Sequence, residues 1–171
     1  MAYPLAAAMG FAAACVCYFL GEITFGNGAD NWFVSIASSY RDTVDTRGMD
    51  MLTLYLVFTL PALFFSPIGE EMFFRGVLQD ALQEVWSVRT STIAEAALFG
   101  GVHLCHHGLS MSAAGLTIRT LSGAMWVALM FLVALLFAWL RSLSGSLFPA
   151  MVAHAIFNAT MNWLILAMLW N

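Results

Sequence analysis

The sequence predicts an all-α fold, a polytopic bundle of about six membrane-spanning helices. Hydrophobic residues make up 61% of the 171 residues, whereas Asp, Glu, Lys and Arg together make up only 9%. A soluble domain carries about 25% charged residues, so this chain has too few charges to cover a surface that faces water. Several uncharged runs also approach the length of about 20 residues that spans a bilayer core. A cytosolic enzyme and a disordered chain are therefore excluded.

The length and the charge of the chain limit the number of domains and the kinds of partner that we expect. A chain of 171 residues is typical of one domain, which we place at residues 1–171. The chain contains no Lys and carries a formal net charge of −4, so it offers no basic patch to the phosphates of a nucleic acid. The lipid bilayer is the predicted surrounding, and no nucleic acid is predicted as a partner.

Four apolar runs are the strongest candidates for spans because they carry almost no ionisable side chains; they are residues 1–21, 51–69, 120–140 and 142–171. The first run lacks a positive n-region, which favours a retained span over a cleaved signal peptide. Residues 68–86 and 90–106 carry charge and are predicted to form two further helices that the others shield.

The long polar segment 26–50 is predicted to be either a short helix at the membrane interface or a plain surface loop. The helix is favoured by four apolar residues, which are Trp32, Phe33, Val34 and Ile36. With about six spans, Arg41 and Arg47 of this segment share one side of the membrane with Arg89 and Arg141. Positive residues favour the cytoplasmic side, so the candidate catalytic residues are expected to face away from the cytoplasm.

A pair of carboxylates follows directly on the second apolar run. Adjacent side chains on a helix diverge by about 100°, so Glu70 and Glu71 are expected to have different tasks. Glu71 and Arg75 are four residues apart, the spacing of a direct ion pair. Glu70 is then free to act as a general base in an apolar cavity. The alternative is a water-exposed acidic helix N-terminus with a surface ion pair.

A histidine follows a stretch of small residues. His103 comes after Ala94, Ala96, Ala97, Gly100 and Gly101, and small residues let membrane helices approach closely. The imidazole is therefore expected to lie against a neighbouring helix, with Phe99 one turn earlier as a wall of its pocket. His106 and His107 are predicted to mark the end of the helix at the membrane surface.

The last apolar run contains two polar side chains four residues apart. His154 and Asn158 share one helix face, and polar groups buried in lipid need hydrogen-bonding partners. They are either hydrogen-bonding contacts between helices or part of a site.

Taken together, these residues are an inventory for hydrolysis by an activated water. Glu70 would take a proton from the water while His103 holds and polarises it. His154 and Asn158 would donate hydrogen bonds to the oxyanion that forms at the attacked carbonyl. No nucleophilic side chain is needed.

The three motifs resemble those of the CAAX protease and bacteriocin-processing family, which includes the type II CAAX prenyl endopeptidases and the abortive-infection proteins of bacteria. The family pattern is E-E-x-x-x-R, then F-x-x-x-H, then H-x-x-x-N, and all three occur here in order within a matching core of about residues 53–170. The resemblance implies an intramembrane glutamate protease in a bacterial or archaeal cell membrane, acting on the C-terminal region of a membrane-anchored protein or peptide.

The resemblance also assigns roles. Glu70 and His103 activate the water, and His154 and Asn158 stabilise the oxyanion. Glu71, Arg75 and Phe99 are structural supports, and no catalytic metal is implied. The expected orientation is similar to that of bacterial myxosortases, which process C-terminal sorting segments of exported proteins.

Two rival interpretations come from other classes. One is a zinc-dependent membrane hydrolase that uses His103, His106 and His107 with Glu70 or Cys105 as ligands, although the chain lacks an H-E-x-x-H motif. The other is a non-enzymatic scaffold or immunity protein, or a conduit whose buried His and Glu relay protons.

Overall fold

The computed structural model describes residues 2–112 and 115–169 and is mostly helical. In chain order its elements are α1 (Ala2–Phe25), α2 (Trp32–Thr43), α3 (Met51–Glu71), a π-helix (Met72–Leu78), α4 (Gln79–Gln83), α5 (Val88–Val102), a 3-10 turn (His103–Cys105), β1 (Leu109–Ser112), β2 (Gly115–Ile118), α6 (Thr120–Ser144) and α7 (Phe148–Leu169). The two strands form an antiparallel hairpin in a segment that the sequence predicts as a loop. Helix α7 packs against α1, α2, α3 and α6.

Among the described residues, four helices are long and apolar enough to cross a membrane; they are Ala2–Phe25, Met51–Gln83, Thr120–Ser144 and Phe148–Ala167. Each contains most of one of the four apolar runs of the sequence. The predicted all-α membrane bundle is therefore confirmed, and the protein is an integral membrane protein.

Residues 68–86 do not form the separate helix that we predicted. Helix α3 continues through the π-helix into α4, so one helix of 33 residues covers Met51–Gln83. Pro61 and Pro67 lie inside this helix. Proline is tolerated in membrane helices where surrounding groups form hydrogen bonds with the backbone groups that it leaves without a partner. The acidic pair therefore lies within a long helix, and the interpretation as an exposed helix N-terminus is wrong.

Because this helix is continuous, the arginines before it and after it lie far apart. Arg41 and Arg47 precede the start of the 33-residue helix, whereas Arg89 follows its end. Arg141 pairs with Asp80 near that same end, at 2.7 Å between Nη2 and Oδ1. The helix is about 50 Å long at 1.5 Å per residue, so the two groups of arginines lie at opposite ends of the bundle. The prediction that they share one side is wrong.

Helix α5 is shorter than the spans and packs closely on α6. It has 15 residues, or about 22 Å. A Cβ on Gly100 would lie 2.7 Å from the carbonyl oxygen of Val127, so only glycine permits this approach. The close contact predicted from the small residues is present, and it brings the 3-10 turn and His103 into the bundle.

The segment 26–50 contains a helix, α2, as one of the two alternatives predicted. Trp32 and Phe33 are fully buried, and the indole N–H of Trp32 donates to the carbonyl oxygen of Cys17 at 3.1 Å. The apolar side of α2 therefore faces the other helices, and Ile36 and Tyr40 reach a central cavity.

Candidate active site

A cavity of about 370 Å³ lies between α2, α3, α6, α7 and the 3-10 turn. All four side chains predicted to carry the chemistry line it; they are Glu70, His103, His154 and Asn158. Most of the remaining wall is apolar, with Phe99, Met130, Val133, Phe137, Phe157 and Met161 among its members. Three helical segments that are distant in sequence, α3, the 3-10 turn and α7, thus bring the four predicted residues to one cavity.

Glu70 lies on α3 and is held at one of its two carboxylate oxygens. The hydroxyl of Ser66 donates to Oε1 of Glu70 at 2.6 Å. The other oxygen, Oε2, lies 4.0 Å from Nε2 of His154. With a side chain that is 29% exposed, Glu70 is the most accessible carboxylate of the site, as a general base requires.

Glu71 and Arg75 form the predicted ion pair in the interior. Nη1 of Arg75 lies 3.2 Å from Oε1 of Glu71, and neither side chain is exposed. The guanidinium also donates to the carbonyl oxygen of Ala134 at 3.3 Å and lies over the ring of Phe99, with 4.3 Å between its Cζ atom and the ring centroid. A second buried carboxylate, that of Glu95, lies 3.4 Å from Nε. Arg75 therefore joins α3, α5 and α6.

His154 is tied to Glu71, a contact that the sequence does not predict. Its Nδ1–H donates to Oε1 of Glu71 at 2.8 Å, because an ionised carboxylate can only accept. The ring stacks on Phe137, with 5.0 Å between ring centroids. These contacts fix the imidazole and leave Nε2 facing Glu70.

His103 lies beyond the end of α5, outside the four candidate spans. Its Nδ1–H donates to the carbonyl oxygen of Phe99 at 2.7 Å, and the two rings are 4.5 Å apart between centroids. Burial lowers the pKa of His103 to about 4, because a charged ring loses more on leaving water than a neutral one. The ring is therefore neutral near pH 7, and its Nε2 lone pair is available as an acceptor.

Asn158 makes a contact between helices as well as lining the cavity. Its amide donates to the carbonyl oxygen of Ala62 on α3 at 3.0 Å. One turn later, Asn162 makes a similar bond to the carbonyl oxygen of Phe58 at 3.2 Å. An asparagine amide carries two N–H groups, so Asn158 keeps a second donor beside the one that binds α3.

The two histidines after the 3-10 turn differ from each other. His106 is exposed, as predicted for a helix end, and its ring centroid is 4.9 Å from that of His103. His107 is buried and bonds the hydroxyl of Ser122 at 3.0 Å through Nε2, so its predicted place at the surface is wrong. The neighbouring Gly108 lies against α6, where a Cβ on Gly108 would come within 3.0 Å of the Cα atom of Gly123, so His107 meets α6 instead of the surface.

The zinc interpretation needs a cluster of ligands. Within residues 2–112 and 115–169, no group of three or more His, Cys, Asp or Glu side chains is arranged to hold a metal ion. His107, one of the proposed ligands, is directed at Ser122 on α6.

Sequence reasoning missed four polar residues of this region, which are Tyr40, Ser66, Glu95 and Asn162. Ser66 and Asn162 carried a usable signal, because each lies four residues from a predicted site residue on the same helix face. Glu95 carried a weaker one, as a lone carboxylate among small residues. Tyr40, whose hydroxyl donates to Oδ1 of Asn162 at 2.7 Å, carried none, since α2 meets α7 only in the folded chain.

A comparison of the sequence with protein families matches the chain to a known group. The family model described as type II CAAX prenyl endopeptidase Rce1-like covers residues 52–160 of the chain, which is more than half of it. The chain belongs to this family. The Rce1-like match begins at the start of α3, ends within α7, and includes every residue of the three motifs. No curated protein and no solved structure matches the chain. As a member of a CAAX protease family, the protein is a membrane-embedded hydrolase.

Proposed function

We propose that this Rce1-like protein is a glutamate-type intramembrane peptidase that cleaves a peptide bond in the C-terminal region of a membrane-anchored protein or peptide. The observation that carries the proposal is that Glu70, His103, His154 and Asn158 line one cavity of about 370 Å³. A carboxylate, two imidazoles and a carboxamide in one mostly apolar space are the groups that water-mediated amide hydrolysis requires.

In the proposed first step, a water molecule lies between Glu70 and His103. Nε2 of His103 accepts one hydrogen bond from the water because its Nδ1–H is already donated to Phe99. Oε2 of Glu70, the oxygen that does not accept from Ser66, takes the other proton as the water oxygen attacks the carbonyl carbon. The C–N bond then breaks, and Glu70 returns the proton to the leaving amine.

His154 and Asn158 are proposed to bind the oxyanion formed in this step. Asn158 donates the N–H that is not engaged with Ala62. His154 donates from Nε2, which requires a proton on both ring nitrogens because Nδ1–H already bonds Glu71. Glu71 and Glu70 flank that ring, one beside each nitrogen.

Glu71, Arg75 and Phe99 are proposed as supports rather than as reacting groups. Arg75 fixes Glu71, and Glu71 fixes the ring of His154. Phe99 lies against both the guanidinium and the ring of His103. The proposed mechanism uses no metal.

The exposed residues among those lining the cavity indicate where it opens. They are Ser39, Cys105 and His106, at the end of the bundle that also carries Arg41, Arg47 and Arg119. Two arginines, Arg89 and Arg141, lie at the other end. By the positive-inside rule, we propose that the opening faces the cytoplasm of a bacterial or archaeal cell. This reverses the orientation expected from the sequence and removes the basis for a likeness to myxosortases.

The experiment uses membranes of the cell that makes this protein, which contain either the wild type or Glu70→Gln at matched abundance. It compares the protein termini found in the two kinds of membrane. Mass spectrometry of terminal peptides should find one or more C-termini that occur only with the wild type. Thermal unfolding in detergent should be the same for both proteins, because Gln has the size of Glu. Identical termini in the two membranes would refute the peptidase and favour the scaffold.

A further inference from the structure

One face of α3 connects two of the proposed catalytic residues. Ala62, Ser66 and Glu70 are spaced by four residues, so they lie one above another on the helix, and all three line the cavity. Ala62 accepts from Asn158 through its carbonyl oxygen, and Ser66 donates to Glu70. Ser66 thus lies between Ala62, which binds the proposed oxyanion donor Asn158, and the proposed base, Glu70.

The direction of the Ser66 hydrogen bond is unusual for a helix. A serine hydroxyl inside a helix commonly donates back to the carbonyl oxygen one turn earlier. Ser39 and Ser144 do so here, with bonds to Ser35 and Leu140 at 3.2 and 2.9 Å. Ser66 instead donates forward, to a side chain one turn later.

The occupied carbonyl of Ala62 explains this reversal. The backbone oxygen that Ser66 would otherwise reach already accepts the amide of Asn158 at 3.0 Å. An ionised carboxylate one turn ahead is also a stronger acceptor than a carbonyl, and its O–H···O bonds fall at about 2.5–2.7 Å. The 2.6 Å distance between Ser66 and Glu70 is of that kind.

We propose that Ser66 is a positioning residue for the general base, an inference that rests on the proposed function. A glutamate side chain has three rotatable bonds, and that of Glu70 is partly exposed at the cavity. The bond to Oε1 restricts these rotations and directs Oε2 into the cavity, 4.0 Å from Nε2 of His154, where it can take the proton of the water held by His103. Ser66 acts through Glu70 and is not itself a reacting group.

Removal of the hydroxyl should therefore slow the chemical step without weakening substrate binding. A small misplacement of a reacting group lowers rate by up to about 100-fold, so Ser66→Ala should reduce kcat by about 10- to 100-fold. KM should stay within about twofold of the wild type, because an interaction used only in the transition state changes kcat alone. Ser66→Thr keeps a hydroxyl at the same position and should restore most of kcat.

The test measures kcat, KM and thermal unfolding in detergent for wild type, Ser66→Ala, Ser66→Thr and Glu70→Gln. The substrate is a quenched-fluorescence peptide that spans a bond cleaved in the membrane comparison. Ser142→Ala is the matched control, because its exposed hydroxyl bonds only the backbone of Trp139; this variant should behave as the wild type.

The outcomes distinguish the two proposals. A low kcat in Ser66→Ala, with unchanged KM and unfolding temperature and with recovery in Ser66→Thr, supports the positioning role. Wild-type kcat in Ser66→Ala, or equal losses in the Ala and Thr variants, overturns it while an inactive Glu70→Gln still supports the peptidase. Cleavage by Glu70→Gln at the wild-type rate would overturn the proposed function itself.

Discussion

Glu71 and His154 are joined by a hydrogen bond of 2.8 Å between Oε1 and Nδ1, and the same oxygen is 3.2 Å from the guanidinium of Arg75. A residue that the motifs present as a support is therefore in direct contact with a proposed oxyanion donor. Through Arg75 the chain of contacts continues to Glu95 on α5. Acidic and basic side chains alternate along this path, and Arg75 lies between the two buried carboxylates.

This path gives the two glutamates of the first motif separate surroundings. Glu71 is fully buried between a guanidinium and an imidazole, whereas Glu70 is partly exposed to the cavity and accepts a hydrogen bond from the hydroxyl of Ser66. The difference follows from the divergence of adjacent side chains on a helix. It is why we assign the base to Glu70 and the support to its neighbour.

We predict that Arg75→Ala is strongly destabilised. The substitution would remove the cation that lies beside both buried carboxylates, those of Glu71 and Glu95, and breaking a buried ion pair typically costs about 3–5 kcal/mol. Denaturant unfolding in detergent measures the loss. Arg47→Ala is the control, because its pair with Asp45 is exposed to solvent and its removal should leave the unfolding midpoint unchanged. An Arg75→Ala protein as stable as the wild type would contradict the buried network.

We predict that Glu95→Gln partly rescues Arg75→Ala. Both carboxylate oxygens of Glu95 are buried and have no hydrogen-bond partner among the described residues, so its main favourable contact is with Arg75. Without that cation, a neutral amide of similar size is easier to bury than a carboxylate. The double variant should unfold at a higher denaturant concentration than Arg75→Ala alone. If the loss of stability in the double variant equals the sum of the losses in Arg75→Ala and Glu95→Gln, the two residues are not coupled.

We predict that Cys105 reports the orientation of the cavity. It is exposed near the opening, whereas Cys17 is buried and Cys15 is partly buried in α1. A membrane-impermeant maleimide should label the protein in inside-out vesicles and leave it unlabelled in intact cells. Cys105→Ser should abolish the labelling and so identify the thiol. Labelling of intact cells would place the opening outside and restore the orientation expected from the sequence.

The sequence predicts those features that depend on composition or on spacing within one helix. Apolar runs mark the four spans, and the i, i+4 rule finds the pair of Glu71 and Arg75. Features that depend on neighbouring helices escape it. Pro67 is typical of a helix start, but the surrounding helices allow α3 to continue through it. This continuation changes the number of spans between the arginines, and therefore the side of the membrane on which each arginine is expected. Glu95 meets Arg75 across two helices, which no local spacing encodes.

Asn158 has two contacts, and a matched pair of variants separates their effects. Its amide bonds Ala62 on α3, and the amide of Asn162 makes the equivalent bond to Phe58 one turn away. If Asn158 only joins helices, Asn158→Ala should lower turnover no more than Asn162→Ala does.

We predict instead that both variants lose stability, by about 1 kcal/mol for each interhelical hydrogen bond removed, but differ in turnover; Asn162→Ala loses more stability because Asn162 also accepts from the hydroxyl of Tyr40. Asn158→Ala should lower kcat by about 10²- to 10³-fold, the effect of removing one oxyanion donor. Asn162→Ala should retain most of the wild-type kcat, because Asn162 is two helical turns from His154. Peptide cleavage and denaturant unfolding, measured on the same samples, give both quantities. Equal turnover in the two variants would mean that Asn158 acts only by joining α3 to α7, and the oxyanion would then rest on His154 alone.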